Sequence, residues 1–172
     1  MLKKILMVFI MCLPIMAFSY DNIQDLKLQN SKLVGKAHLE VFFFNIYDAE
    51  LLNNDGKFNF NKPFLLKIKY LRNFSGESIA TRTIKEMQRQ HPEDVRKHKK
   101  DYLEIFDKLI PDVKKGDLLY GYMNKDGNGY LYTQTKFIGK IPTKQLSMYF
   151  FEIWLGDNTS MSKMAKELRG QI

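Results

Sequence analysis

Residues 33–52 decide the fold, and they read LVGKAHLEVFFFNIYDAELL. The stretch is rich in Val, Phe, Ile and Tyr and shows no uninterrupted helical periodicity, which favours β-structure. It predicts two consecutive strands or one long bent strand. Because side chains alternate along a strand, we expect Val41 and Phe43 on one face and Phe42 and Phe44 on the other.

Further β-structure follows a turn-forming cluster at residues 53–56. Residues 63–71 read PFLLKIKYL, in which apolar and basic residues alternate. Such alternation predicts a half-buried strand. Its buried face carries Leu66, Ile68 and Tyr70, and its solvent face carries Lys67 and Lys69.

Two helices are predicted between Ser75 and Pro111. Ser75 is a suitable N-cap, and the first helix extends to about Gln90, where His91 and Pro92 end it. The second helix begins near Glu93 and is stopped by Pro111. Their buried faces are read from helical spacing as Ile79, Thr83, Ile84 and Met87 in the first helix, and Val95, Tyr102, Ile105, Phe106 and Leu109 in the second.

The last third of the chain again places strands before helices. Residues 118–135 predict a hairpin around a turn at 124–129, and residues 137–141 predict another short strand. A helix starts at Pro142 and ends at Gly156, which is placed as the glycine that follows a helix C-cap. A last short helix, capped by residues 158–160, extends to about Leu168. This order predicts one α+β domain, with an antiparallel sheet covered by helices on one face.

The N-terminus has the layout of an export signal. Two lysines precede the apolar run 5–18, and Ala17 and Ser19 are small residues at a cleavage position. We predict a signal peptide at 1–19, a polar lead at 20–32 and a single domain at 33–172. An acylated Cys12 would instead mark a lipoprotein, but Met11 stands where such sites require Gly or Ala. Cleavage removes the only cysteine, so no disulfide is expected.

The charge of the chain limits its partners. The formal net charge is +8, and it is +6 without the two lysines of the signal. Export argues against a nucleic-acid partner. The densest basic run contains Arg96, Lys97, Lys99 and Lys100, and it is either a solvated helix face or a docking patch for anionic lipid or an acidic protein surface. No apolar stretch beyond the signal is long enough to span a bilayer.

Signatures of metal or nucleophilic chemistry are incomplete. Residues 124–129 read NKDGNG, like the start of a calcium loop, but Thr135 occupies the twelfth position where calcium requires a bidentate Glu. His38, His91 and His98 form no closely spaced pair. The chain has no G-x-S-x-G motif. We therefore predict no metal site and no cofactor.

Five segments together resemble the chalcone isomerase-like domain found in exported bacterial proteins. In chain order they are LVG at 33–35 with FFFNIY at 42–47, FSGE at 74–77, PDVKKGDL at 111–118, GKIP at 139–142 and FFEIWLG at 150–156. The resemblance extends from about Leu33 to Leu168. It implies an open-faced β-sandwich, in which a large antiparallel sheet is covered on one face by a layer of helices. It also implies a periplasmic location.

The family implies two kinds of activity. Some members cyclise chalcones, whereas relatives without that activity bind fatty acids in the cleft between sheet and helices. The catalytic positions of the enzymes fall here on Phe42, Ile79, Glu86 and Ile153. Phe and Ile cannot donate the hydrogen bonds that steady a phenolate or polarise a ketone. We therefore predict no catalytic residue, and we predict that the cleft binds a fatty-acid-like or other small apolar ligand.

The resemblance and the residue chemistry together suggest the parts of such a site. Apolar walls are expected from Phe42, Phe44, Ile79 and Ile153, with Glu86 beside them. A cation at the mouth is expected from Lys69, Arg72 or Arg82, and a hydrogen bond from Tyr47 or Tyr70. Two alternatives stay open: an intramolecular lyase with altered site residues, and an envelope module that docks on proteins through the basic run or the tyrosine-rich hairpin.

Overall fold

In the computed structural model, which describes residues 31–172, six strands pair in chain order to form one antiparallel sheet. The strands are β1 (Lys32–Val41), β2 (Phe44–Asn53), β3 (Phe64–Tyr70), β4 (Leu118–Met123), β5 (Gly129–Thr133) and β6 (Phe137–Lys140). The helices are α1 (Gly76–Gln90), α2 (Pro92–Lys97), α3 (Lys99–Leu109), α4 (Lys144–Leu155) and α5 (Ser162–Leu168). The predicted signal peptide lies outside the described residues, as does all of the predicted lead except its last two residues.

The main core lies between one face of the sheet and the helices. Leu51, Leu66 and Leu131 point into it from β2, β3 and β5, and they pack with helical residues such as Met87 and Phe151. The opposite face carries a smaller cluster in which Leu65 and Tyr132 are buried, with Leu52, Tyr120, Tyr122, Tyr130 and Phe137 packed against them. This arrangement confirms the predicted α+β fold with helices on one face of the sheet.

The first hairpin turns at Phe42 and Phe43, so the expectation that these residues alternate within a strand is wrong. Val41 pairs with Phe44, and both turn residues have left-handed backbone, with φ of 48° and 67°. Two residues with positive φ between paired strands are the requirement of a two-residue type I′ turn. Both side chains are exposed at the tip of the hairpin.

The first helix is as predicted. Ser75 caps it, since its hydroxyl oxygen accepts a hydrogen bond from the Ser78 N–H at 3.2 Å. Ile84 and Met87 are buried, and the helix ends at Gln90.

The predicted second helix is instead two helices, because the backbone leaves the helical region at His98. Contacts across the break hold it in place. The Tyr102 hydroxyl donates to Asp94 Oδ2 at 3.0 Å, and the His98 ring stacks on Tyr102 with centroids 5.5 Å apart. The basic run therefore spans a junction between two helices and is not one continuous helix face.

Two details of the C-terminal helices also differ from expectation. α4 begins at Lys144 and not at Pro142, because Thr143 is its N-cap and accepts from the Leu146 N–H at 3.1 Å. Gly156 has an extended backbone, with φ of −78°, and is not a left-handed cap. Glycine is needed there for space, since a Cβ would lie 2.7 Å from the Glu152 carbonyl oxygen.

Candidate functional site

A cavity of about 360 Å³ opens between the first three strands, α1 and α4. One helix supplies a whole wall of it. The α1 residues that line the cavity are Ser78, Ile79, Arg82, Thr83 and Glu86. Their spacing repeats every three to four positions, so they lie on one face of the helix.

The sheet supplies the opposite wall. Leu39 of β1 pairs directly with Tyr47 of β2, and Tyr47 pairs in turn with Tyr70 of β3. Directly opposed residues point to the same face of a sheet, so these three side chains line the cavity together. The ring of Tyr47 meets that of Tyr70 edge-on, with centroids 6.1 Å apart.

Tyr47 lines the cavity, and its hydroxyl joins the sheet to α4. Trp154 Nε1–H donates to it at 2.9 Å, and the hydroxyl lies 3.8 Å from Met161 Sδ. Burial raises the pKa of the Tyr47 phenol, and the Trp154 hydrogen bond opposes this only in part. Tyr47 is therefore a neutral hydroxyl that fixes the wall of the cavity.

Tyr70 is the second phenol of the cavity. Burial raises its pKa as well, so it too stays protonated at neutral pH. Within residues 31–172 its hydroxyl makes no hydrogen bond, which leaves the hydroxyl available to a polar group of a ligand.

Arg82 and Glu86 are the charged residues among those described that line the cavity. Arg82 Nη2 lies 2.6 Å from Glu86 Oε1, and the Arg82 side chain is 61% exposed while that of Glu86 is 5% exposed. Glu86 Oε2 also accepts from Ser160 Oγ at 2.7 Å, and Arg89 Nε lies 3.8 Å from it. A buried carboxylate with these partners holds the guanidinium of Arg82 at the rim. Because a guanidinium has five N–H donors, Arg82 retains donors for an incoming anion.

The cleft does not continue far behind Tyr70. The next space between sheet and helices is a void of about 30 Å³, near the size of one water molecule, and it is lined in part by Tyr70, Ile79 and Trp154. This void would admit no more than about one water-sized group.

Six of the ten predicted site residues line this cavity: Tyr47, Tyr70, Ile79, Arg82, Glu86 and Ile153. Whether they bind a ligand stays a prediction. The other four lie elsewhere. Phe42 is in the hairpin turn, and Phe44 follows it with its ring under the guanidinium of Arg72 at 4.5 Å. Lys69 is exposed on β3, where its side chain points away from the face that Tyr70 shares with the helices.

The structure adds residues that sequence reasoning missed: Leu39, Val41, Ile46, Phe74, Ser78, Thr83, Trp154 and Met161. Ser78 and Thr83 could have been found from the helical spacing around Ile79 and Arg82. Leu39 could not, because its position opposite Tyr47 depends on where the first hairpin turns. Trp154 adjoins the predicted Ile153 in sequence, but its hydrogen bond to Tyr47 has no sequence signal.

The predicted basic patch lies apart from the cavity, at the junction of α2 and α3. Arg96 pairs there with Glu93 at 2.5 Å, so part of its charge is neutralised. Binding of lipid or protein by this patch stays a prediction. Within residues 31–172, no group of three or more His, Cys, Asp or Glu side chains is arranged to hold a metal ion. In the same part of the chain, no helix is both long and apolar enough to cross a bilayer.

The architecture resembles that of solved structures, one of which matches over most of its length. It is a fatty-acid binding protein from Arabidopsis thaliana, with a TM-score of 0.62 and 6% sequence identity, and the match covers 83% of this chain and 88% of that chain. At this identity the likeness is one of fold. No protein with a curated description matches the sequence. The sequence itself matches the chalcone isomerase-like family over residues 17–170, so the chain belongs to that family.

Proposed function

We propose that the protein binds a small, fatty-acid-like ligand in the cavity between α1 and the first three strands. The observation that carries the proposal is an apolar cavity of about 360 Å³ with a cation at its rim. Of the described residues that line the cavity, Arg82 is the only cation. Ligand sites generally combine such apolar walls with a few polar groups that fix orientation. The fatty-acid binding activity of the similar Arabidopsis protein supports the same assignment.

The volume of the cavity sets the size of the ligand. At roughly 30 Å³ for each water-sized group, about 360 Å³ accommodates roughly a dozen non-hydrogen atoms. This is the length of a medium acyl chain. A longer chain would extend into solvent, because the void behind Tyr70 has a volume of only about 30 Å³.

The head group of the ligand would lie at Arg82. The guanidinium donates to the carboxylate from the rim, and the Tyr70 hydroxyl is a further donor on the sheet side. Glu86 limits this attraction because it already pairs with Arg82. A carboxylate therefore shares the guanidinium with Glu86 and does not replace it.

A chain-length series tests the proposal. Dissociation constants for octanoate, decanoate, dodecanoate and hexadecanoate are measured by calorimetry. Each methylene that enters the cavity should improve affinity by about 0.8 kcal/mol, or roughly fourfold in Kd. The gain should stop near dodecanoate. Failure to bind any member of the series would contradict the proposal, as would affinity that does not change with chain length.

Substitution of the cation locates the head group. Arg82→Met should weaken dodecanoate more than dodecanol, because only the acid carries a charge. Arg72→Met is the matched control, since Arg72 is exposed and does not line the cavity. An unchanged preference for the acid in the Arg82 variant would exclude Arg82 as the head-group site.

We also propose that residues 1–19 direct export, with the periplasm as the destination. The basic start, the apolar run and the small residues before Tyr20 support this. Cell fractionation and N-terminal sequencing test it. A protein that begins at Tyr20 in the periplasmic fraction is the expected result, and a cytoplasmic protein that begins at Met1 is the contrary one.

A further inference from the structure

The tip of the first hairpin is an exposed apolar surface made of four consecutive residues, Val41 to Phe44. Phe42 is 86% exposed and Phe43 is 94% exposed, and Val41 and Phe44 are also exposed. Single exposed apolar residues are ordinary on protein surfaces, but a continuous group of large ones marks a contact site.

Folding does not account for aromatic residues at this turn. Both Phe42 and Phe43 adopt left-handed φ, which is unfavourable for residues with a bulky side chain. Asn and Gly are the usual choices at these two positions of a type I′ turn. Backbone strain of this kind concentrates at functional sites. The side chains at the tip therefore point to a role outside the folded chain.

One cation contacts the tip at Phe44, and two lysines lie next to the segment that carries this cation. The guanidinium of Arg72 lies 4.5 Å from the centre of the Phe44 ring. The next residue, Asn73, lies close to Lys114 and Lys115, because Asn73 Oδ1 accepts a hydrogen bond from the backbone N–H of Lys115 at 2.8 Å. Lys114 and Lys115 are both exposed. An apolar wedge backed by cations is the arrangement that suits the apolar interior and the phosphate layer of a membrane.

Two acidic side chains of this region accept hydrogen bonds from nearby backbone N–H groups. Asp112 Oδ1 accepts from the Gly76 N–H at 2.8 Å, and Asp117 Oδ2 accepts from the Lys114 N–H at 2.8 Å. Glu40 lies closest to the tip in sequence, and it is exposed on β1 beside His38 and Asp48. Because acids offset part of the basic charge, the apolar residues are expected to contribute more to docking than the cations do.

The size of the tip favours a lipid surface over a protein partner. Since a Phe side chain covers about 150–250 Å², the exposed tip presents roughly 500 Å². A stable protein interface needs about 800 Å² on each partner. A bilayer has no such requirement, because a small wedge can enter it from one side. We propose that the Phe42–Phe43 tip docks the protein reversibly on a membrane surface by inserting both rings at the lipid interface.

This docking face is distinct from the basic run at residues 96–100. The tip lies near the start of α1, where Val41, Phe74 and Ser78 line one cavity, whereas the run follows the end of that helix. Because α1 has 15 residues, its start and its end lie about 22 Å apart. Glu93, Asp94 and Asp101 also lie among the cations of the run. The proposal does not depend on any ligand in the cavity.

Fluorescence quenching in vesicles tests the insertion directly. The full chain has one tryptophan, Trp154, which is buried. Phe43→Trp adds a second indole at the tip. With vesicles of brominated phosphatidylcholine and phosphatidylglycerol, we expect strong quenching in the variant and little in the unaltered protein, whose only indole is buried. Equal quenching in the two proteins would overturn the proposal.

A double substitution tests whether the tip drives binding. Phe42→Asn with Phe43→Gly suits the turn and removes the apolar wedge. In co-sedimentation with the same vesicles, its partition coefficient should drop by at least about tenfold. A control that replaces Arg96, Lys97, Lys99 and Lys100 with Gln should change the coefficient less than the tip variant does. Unchanged binding in the tip variant would overturn the proposal, and so would an oligomer that dissociates when the tip is replaced.

Discussion

The β1–β2 hairpin and the β4–β5 hairpin differ in the residues that form their turns. β4 and β5 are joined by a polar turn in which Asn124 Oδ1 accepts from the Asp126 and Asn128 N–H groups at 2.9 Å each, and Gly127 takes the positive φ of 79°. β1 and β2 are joined by two phenylalanines that both take positive φ. The β4–β5 turn has the residues that such turns favour, whereas the β1–β2 turn does not.

This contrast between the two turns distinguishes residues that stabilise the fold from residues that the fold does not require. Asn and Gly at the polar turn satisfy the backbone without help from the rest of the molecule. The aromatic turn is stable only because the surrounding strands enforce it, since it has an unfavourable backbone and gains no burial in return. Replacing residues in each hairpin tests this contrast.

The largest expected effect comes from Gly35 in β1. A Cβ at this position would lie 2.0 Å from the Glu167 carbonyl oxygen of α5, a backbone atom that cannot rotate away. Gly35→Ala should lower the free energy of unfolding by about 3 kcal/mol, measured by urea denaturation. Gly121→Ala in β4 is the comparison, because its Cβ would meet the Phe151 ring at 2.7 Å and a side chain can shift. A smaller loss at Gly35 than at Gly121 would contradict this account.

The tip substitution Phe42→Asn with Phe43→Gly should raise stability. Each left-handed residue with a bulky side chain costs roughly 1–2 kcal/mol, so the double variant should gain about 2 kcal/mol in urea denaturation. A loss of stability would mean that the rings support the fold after all.

Replacing the glycine of the polar turn should lower stability, in contrast to the gain expected at the aromatic tip. Gly127→Ala introduces a Cβ at φ of 79°, and its nearest neighbour would be Lys144 Cδ at 3.9 Å. With no clash, the expected loss of about 1 kcal/mol reflects backbone conformation alone. Thermal unfolding of this variant beside the unaltered protein measures it, and an unchanged midpoint would contradict the assignment.

The smallest expected effect is a pH dependence within the first hairpin. The hydrogen bond between His38 Nδ1 and Asp48 Oδ1 at 2.7 Å raises the pKa of His38 above its usual 6.5, with Asn45 and the charges of Asp48 and Glu40 adding to it. A raised folded-state pKa stabilises the protein below pH 6.5, and this contribution is lost as the pH rises through the folded pKa.

The difference in stability between the unaltered protein and His38→Gln measures this contribution. The difference should shrink from mildly acidic to mildly alkaline pH. Because both side chains are about half exposed, solvent screening should keep the change small. A difference that grows with pH would reverse the assigned sign.

Much of the fold could be predicted because local rules determine it. The alternation around Leu66 and Ile68 and the cap at Ser75 are sufficient to place β3 and α1. Helical spacing also placed Ile79 and Thr83 on the inner face of α1, whereas Arg82 and Glu86 of the same cavity wall were predicted from the family resemblance. These features depend on neighbours within a few residues.

The remaining errors depend on interactions that sequence patterns do not carry. No propensity places two phenylalanines in a type I′ turn, so the register of β1 against β2 was hidden and Phe42 was assigned to the cleft. The position of Leu39 opposite Tyr47 in the cavity depends on that register. Lys69 and Arg72 lie outside the cavity for a related reason, since the position of a cation beside a cleft depends on which face of the sheet it shares.

The order of the sheet also has a consequence for how the chain folds. β1 to β3 and β4 to β6 are each formed by neighbours in sequence, whereas β3 and β4 pair across the whole segment 71–117, which holds α1, α2 and α3. Closing that long loop carries the largest entropy loss of any strand pairing. Each half can assemble early, and docking of Leu66 beside Gly121 is the late, non-local step expected to limit the folding rate.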